Sequence, residues 1–208
     1  MRCEDLDKAE NGRLVSPSAE RNKAPIADVL DGLLPSSGQV LEISSGTGQH
    51  VVHFARRMPR LVWQPTERDA ESLRSIAAWL EVEALPNVRA PLFLDVCDDV
   101  WPVTHTDAAI CLNMIHIAPW PATEALLRGA GKTLRPGGLL FLYGPFRRQG
   151  AHTAESNAEF DRQLRARDPQ WGVRNLEDVA TVATSEGFEL GEIHQLPANN
   201  LGVVFRKL

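Results

Sequence analysis

Apolar positions along the chain fall into short solid runs alternating with longer stretches at helical spacing. The run Val40-Leu41-Glu42-Ile43 is broken only by a carboxylate and leads into Ser44-Ser45-Gly46-Thr47-Gly48. This predicts a strand over Gln39–Ile43, a glycine turn, and a helix through Val51, Val52, Phe54 and Ala55 that Pro59 stops. Upstream, Ile26, Val29, Leu30, Leu33 and Leu34 predict a first helix, preceded by a lead-in over Ser16–Lys23 and ended by Pro35-Ser36-Ser37-Gly38. Downstream come a strand over Leu61–Pro65 with Glu67 just past its end, a helix through Leu73, Ile76, Ala77 and Leu80, and a third strand over Val88–Leu94 ending at Asp95. A fourth strand over Asp107–Met114 is apolar at every position from Ala108 to Leu112, as expected of a strand covered on both faces. The helix over Ala122–Thr133 then stops at Arg135-Pro136-Gly137-Gly138, before a fifth strand over Leu139–Tyr143.

Further helices are predicted over Asn157–Arg167 and Leu176–Glu186. The last two strands, Phe188–Leu196 and Leu201–Arg206, are joined by Pro197-Ala198-Asn199-Asn200, which is too short for a crossover, so they must pair antiparallel. The expected fold is therefore α/β: a doubly wound, mostly parallel seven-stranded sheet of Rossmann-like form, with one antiparallel strand in a C-terminal hairpin.

The 208 residues suit one domain. Met1 to Val15 is dense in charge and has no apolar period, so a flexible arm over 1–15 and a single domain over 16–208 are expected. A net charge of −5 argues against nucleic acid as a partner, since such binding needs clustered cations. No run approaches the ~20 apolar residues that cross a bilayer, and no signal-peptide core is present, so no membrane partner and a cytoplasmic location are expected. Cys3, Cys97 and Cys111 lack metal spacing, and the latter two read as small buried hydrophobes.

Ligands of open α/β sheets sit beyond the carboxyl ends of the strands. The residues there are Glu42 to Gly48, Glu67, Asp95 and Val96, and Asn113 to His116. The glycine turn is Gly-x-Gly with Val51 where a dinucleotide fingerprint has its third glycine. A carboxylate beside the turn repels a pyrophosphate but accepts hydrogen bonds from a cationic amine, which S-adenosylmethionine carries and nicotinamide dinucleotides lack. Gly46 and Gly48 leave the backbone open to a ligand. Glu67 lies nineteen residues beyond Gly48, close to the distance at which an acid accepts from ribose hydroxyls. Asp95 can accept from an adenine amine, with Val96 against the ring. Three carboxylates in one crevice disfavour one another's ionised forms until a donor-rich ligand relieves them.

With these residues in place the chain resembles the class I S-adenosylmethionine-dependent methyltransferases, and within them the DUF938 family that includes methyltransferase-like protein 26. The resemblance runs from about Ser16 to Lys207. It rests on Ala19-Glu20-Arg21-Asn22-Lys23, Leu41 through His50, Asn113-Met114-Ile115-His116-Ile117, Tyr143-Gly144-Pro145-Phe146, Ser156-Asn157, Phe160-Asp161 and Pro197-Ala198-Asn199-Asn200. It implies cofactor binding by Glu42, Gly46, Gly48, Glu67 and Asp95, with Asn113 and Met114 bordering the methionine end. It also implies that the segment holding Arg21 and Asn22 folds over the cofactor and contacts its carboxylate. Ser44 stands where a first glycine is common, and Arg68 where an apolar residue often covers adenine. His116 occupies an acceptor-facing position in such enzymes and has the ordinary pKa of a proton acceptor, although its apolar neighbours equally suit a structural hydrogen-bonder. Tyr143, Asn199 and Asn200 reach the same rim, where the two amides either orient an acceptor or fix their turn. Trp120 is placed to wall the acceptor pocket and Phe146 to Asn175 to form its lid. His50 and His53 lack further ligands at metal spacing, so no metal is expected.

The expected function is transfer of a methyl group from S-adenosylmethionine to a small-molecule acceptor by in-line displacement, leaving S-adenosylhomocysteine. A noncatalytic binder of the same cofactor acting through partner contacts is the alternative, and a nicotinamide dehydrogenase a third reading. The accepting atom, the pathway and the oligomeric state are left open.

Overall fold

The computed structural model describes residues 7–208. Its central sheet has strands β1 (Gly38–Ile43), β2 (Leu61–Glu67), β3 (Leu92–Phe93), β4 (Thr106–Leu112), β5 (Leu134–Gly144), β6 (Phe188–Leu196) and β7 (Asn200–Lys207) in the order 6-7-5-4-1-2-3. The pairs among β1 to β5 are parallel, and β7 alone runs against its two neighbours β5 and β6. The α-helices are α1 (Pro17–Leu33), α2 (Gln49–Arg57), α3 (Ala70–Glu83), α4 (Trp120–Thr133), α5 (Glu155–Arg167) and α6 (Leu176–Ser185). The expected doubly wound fold with its C-terminal hairpin is what forms.

The pleat divides β4 between two cores. Ala108 and Ile110 pack with Ile26 and Leu30 of α1 and Phe54 of α2, while Ala109 and Cys111 pack with Leu126 of α4 and Val179 of α6. Because the strand order reverses between β1 and β4, the loops after these strands diverge and open a crevice at their carboxyl ends.

Four expectations are corrected. Ser16 to Lys23 is not a lead-in: Ser16 caps α1 by accepting the Ala19 N–H, Pro17 occupies the first turn, and Arg21, Asn22 and Lys23 are helical. Pro25 deprives the Arg21 carbonyl of its partner, but burial of Ala19, Ile26 and Ala27 carries the helix through. The arm expected over Met1–Val15 is docked over its described part. Asp7–Lys8 pairs with Leu14–Val15, and buried Leu14 donates its N–H to Ser75 Oγ (2.8 Å) and accepts from Trp79 Nε1 (3.0 Å). Residues 1–6, including Cys3, lie outside the described residues.

The third strand shrinks to Leu92–Phe93. The chain at Asn87 to Arg89 instead hooks around Trp63, Gln64 Nε2 takes the Ala90 carbonyl, and Pro91 has no N–H to give. Finally, Cys111 is buried but Cys97 is exposed.

Candidate functional site

The loop from β1 to α2 turns through left-handed backbone at Ser44 (φ 57°), Gly46 (φ 58°) and Gly48 (φ 94°). A non-glycine side chain at Ser44 is costly there. The turn is anchored to β2: Ser45 N–H donates to the Thr66 carbonyl, and Thr66 N–H and Oγ1–H donate to Ser45 Oγ and the Glu42 carbonyl. A side chain at Gly46 would meet nothing within 4 Å, so the crevice is open above it. At Gly48 a Cβ would come within 3.0 Å of Ile76 Cα, so this glycine serves the approach of α3, not the access of a ligand.

Glu42 closes the floor of the crevice. It is 1 % exposed and neither carboxyl oxygen has a hydrogen-bond partner among the described residues. Burial pushes its pKa up to about 8; the nearby Ser45 hydroxyl, which donates to the Glu42 backbone carbonyl (3.3 Å) and not to the carboxyl group, offsets part of this, and the charge of Glu67 adds to it. A buried carboxyl without donors is a standing cost that a ligand bearing N–H groups removes.

Glu67 is held firmly, its carboxylate accepting backbone N–H groups from Gly46 (3.0 Å), Arg68 (2.7 Å) and Asp69 (3.3 Å). Of the roughly four lone-pair positions of a carboxylate, one is left for a further donor. Asp95 accepts from Arg68 Nη1 (3.0 Å) and from Cys97 N–H (3.0 Å), so Arg68 is paired with the acid across the β2–β3 edge. Asn113, at left-handed φ on the tip of β4, donates its N–H to the Tyr143 carbonyl (2.8 Å). Glu42, Gly46, Glu67, Arg68, Asp95 and Asn113 thus line successive strand ends. Val96 and Met114, next to Asp95 and Asn113, are buried members of the core cluster that also holds Leu94 and Ile115.

The residues expected at the acceptor rim bond within the protein, the structural alternative raised for His116, Asn199 and Asn200. His116 is wholly buried, with its Nδ1 accepting the Arg174 N–H (3.2 Å) and its ring edge-on to Phe146. A Cβ on Gly144 would lie 2.3 Å from His116 Nε2, so the strand presses directly on the imidazole. Burial and the Arg174 charge push its pKa down to about 3. An imidazole so placed holds the β4 loop against Arg174, and its Nε2 has no hydrogen-bond partner among the described residues. Asn200 Nδ2 donates to Pro197 and Ala198 carbonyls within its own turn, and Asn199 Nδ2 donates to Ser156 Oγ (3.0 Å). The amides fix the β6–β7 hairpin and dock it on α5.

The Phe146–Asn175 segment is fastened down by Asp161, a residue the sequence reading passed over as a binding group. Asp161 accepts from Arg147 Nη2 (2.7 Å), Arg165 Nε (3.0 Å) and Val173 N–H (2.7 Å), while Arg174 donates to the Ile115, Ala118 and Gln170 carbonyls. Trp120 lies beside this clasp, under the Arg174 guanidinium. On the opposite face, α1 is tied to the glycine loop. Gln49 accepts from Ser16 N–H and Thr47 Oγ1–H and donates to Glu20, and His50 Nε2 lies 2.7 Å from Asn22 Oδ1. Burial pushes the Tyr143 phenol up, and the nearby Asn22 amide offsets part of this, whereas Arg21 is exposed. Gln49 and His50 were legible only as first-turn residues of the glycine-loop helix.

Solved structures of the same fold are methyltransferases. The chain superposes on CalO1, a methyltransferase in calicheamicin biosynthesis solved with S-adenosylhomocysteine, with TM-score 0.75 and 16 % identity, covering 92 % of this chain and 54 % of that one. It superposes on an O-methyltransferase family 2 protein from Planctomyces limnophilus, in complex with apigenin, with TM-score 0.78 and 17 % identity, covering 92 % and 58 %. For the mitomycin 7-O-methyltransferase MmcR the values are 0.79 and 14 %, covering 92 % and 54 %. The chain spans about half the length of these proteins. The profile of the family described as "Protein of unknown function (DUF938)" matches residues 13–207. With that match over nearly its whole length, on a methyltransferase-like Rossmann fold, the chain belongs to the DUF938 family.

Proposed function

We propose that this protein binds S-adenosylmethionine in the crevice between β1 and β4 and transfers its methyl group to a small-molecule acceptor. The observation that carries this reading is Glu42: a buried carboxyl with two unpartnered oxygens beside the open space at Gly46. An α-amino group supplies the missing donors and the missing positive charge. In this reading Glu67 takes a ribose hydroxyl with its remaining lone pair, Asp95 and Arg68 border the adenine, and Asn113 borders the methionine end. The resemblance to methyltransferase-like protein 26 and a cytoplasmic location belong to the same reading.

Bound S-adenosylmethionine supplies a methyl group on a positively charged sulfur, so the leaving group needs no acid. The residues of the chain therefore contribute alignment and exclusion of water. The Asp161 clasp and α1 wall the acceptor side, and the neighbours solved with apigenin or acting on mitomycin favour a compact organic acceptor here. The fastening of the Phe146–Asn175 segment favours a second reading, a noncatalytic binder whose rim stays shut.

Titration calorimetry with S-adenosylhomocysteine tests the binding half: affinity is expected, and Glu67→Ala weakens it by about 1–3 kcal/mol without unfolding the protein. Methyl-labelled cofactor incubated with protein and cell extract tests the transfer half. A labelled small molecule supports the enzyme, whereas tight binding with no labelled product supports the binder.

A further inference from the structure

We infer that the segment over residues 13–16 is a strap that raises ligand affinity in the crevice, and that Ser75 is the positioning residue through which its docking reaches the glycine loop. This rests on the crevice being the cofactor site, with an S-adenosyl compound as its ligand.

The link runs through atoms whose roles are fixed. Ser75 lies on α3 and is fully buried. Its Oγ accepts the Leu14 N–H (2.8 Å) and lies 2.7 Å from the Thr47 carbonyl oxygen. An amide N–H only donates and a carbonyl only accepts, so the single Ser75 proton points at Thr47. Accepting from Leu14 polarises the hydroxyl and strengthens the bond it gives to the loop. Both ends are backbone, so no rotated side-chain amide can reverse the direction.

Thr47 is the residue where a small displacement reaches the ligand. It stands between Gly46, which faces open space and donates its N–H to Glu67 (3.0 Å), and Gly48, which turns against α3. A second tie ends on the same residue, because Gln49 Oε1 accepts both the Ser16 N–H (2.6 Å) and the Thr47 hydroxyl (3.0 Å). Thr47 is thus held at its carbonyl from the Leu14 side and at its hydroxyl from the Ser16 side. Between these ties the strap is seated on Trp79. Leu14 is buried and its carbonyl accepts Trp79 Nε1 (3.0 Å), while the Arg13 guanidinium lies 4.6 Å over the indole. Trp79 itself abuts Gly48, since a Cβ there would come within 3.3 Å of its Cδ1. Undocking the strap takes away the group that orients the Ser75 hydroxyl, and slackens the turn that holds the Gly46 N–H on Glu67. Coupling between sites is reciprocal, so the factor that docking adds to ligand affinity is the factor that the ligand adds to docking.

Calorimetry with S-adenosylhomocysteine on full-length variants tests this. Leu14→Asp, which places a charge in the buried seat and releases the strap, is expected to weaken binding about fivefold, and Ser75→Ala by a similar factor. The double variant is expected to bind within about twofold of Leu14→Asp, because both changes cut one connection. Effects that multiply would mean that Ser75 acts without the strap, and overturn the inference. Hydrogen exchange on the parent supplies the reciprocal measurement: saturating S-adenosylhomocysteine is expected to slow exchange of the Leu14 amide by the same factor of about five. Slowing confined to the glycine loop, with Leu14 unchanged, overturns the coupling. In the absence of ligand, Ser75→Ala is expected to speed Leu14 exchange, and an unchanged rate removes the link from Leu14 to Ser75. Should Ser75→Ala not fold, Leu14→Asp and the parent's exchange decide by themselves. A parent that binds no S-adenosylhomocysteine ends the proposed function, whereas ligand-free exchange still judges the tie between strap and Ser75.

Discussion

Gly46 and Gly48 stand two residues apart, both at left-handed φ, yet a methyl group would meet open space at one and the backbone of α3 at the other. Their alanine variants should therefore separate binding from folding. Gly46→Ala is expected to lose about 1 kcal/mol of stability from backbone strain, and to weaken S-adenosylhomocysteine binding about tenfold or more because the methyl group fills the crevice. Gly48→Ala is expected to cost about 2 kcal/mol or more, since Ile76 Cα cannot yield as a flexible side-chain end would. Chemical denaturation and calorimetry on both variants check the pair. Glu42 offers a comparable separation: Glu42→Gln should weaken cofactor binding while stabilising the empty protein above neutral pH, where the parent must bury a charge.

Among the elements, the segment after β5 shows how a long connection is held. Burial by itself would raise the Asp161 carboxyl, but hydrogen bonds from Arg165 and Val173 and the charges of Arg147 and Arg165 hold it below the usual carboxylate range. A depressed folded-state pKa contributes stability above the unfolded value of about 3.9 and loses it as pH falls further. Asp161→Asn is expected to cost about 2–3 kcal/mol at neutral pH and to loosen the 146–175 segment first, which hydrogen exchange resolves by region. The periodicities that predicted β1, β4 and α4 were strong because burial on one or two faces dictates them. Those that failed had other causes: Pro25 disguised a continuous α1, and Trp79 drew a charged, aperiodic segment onto α3.

For the whole molecule, three buried titratable groups shape stability against pH. His50 and His116, each with folded pKa about 3, bind protons in the unfolded chain below about pH 6.5 that the folded protein refuses. Their contribution is present above the unfolded value and lost as pH falls. Glu42, with folded pKa about 8, keeps a proton that the unfolded chain releases above about pH 4.3, so its contribution is lost as pH rises toward 8. Between these limits two protons outweigh one below pH ~6.5 and the single Glu42 proton governs above it, each worth about 1.4 kcal/mol per pH unit. Thermal melts of the empty protein are expected to peak near pH ~6.5, and Glu42→Gln to flatten the alkaline side. S-adenosylhomocysteine is expected to raise the melting temperature and NAD to leave it unchanged, because a pyrophosphate would face Glu42 and Glu67; a rise with NAD alone would favour the dehydrogenase.

The order of elements, the two-sided burial of β4, the final hairpin and the acidic residues at the first three strand ends are all local in the chain, since each follows from pleat and helix periods and from turn residues that act on their immediate neighbours. Tertiary contact decided the rest. Gly48 answered to α3, His116 to Gly144 and Arg174, and Asn22 to His50. These partners are separated by 28 to 58 positions in sequence, so which side chain meets which depends on how whole layers pack, and no local period encodes that.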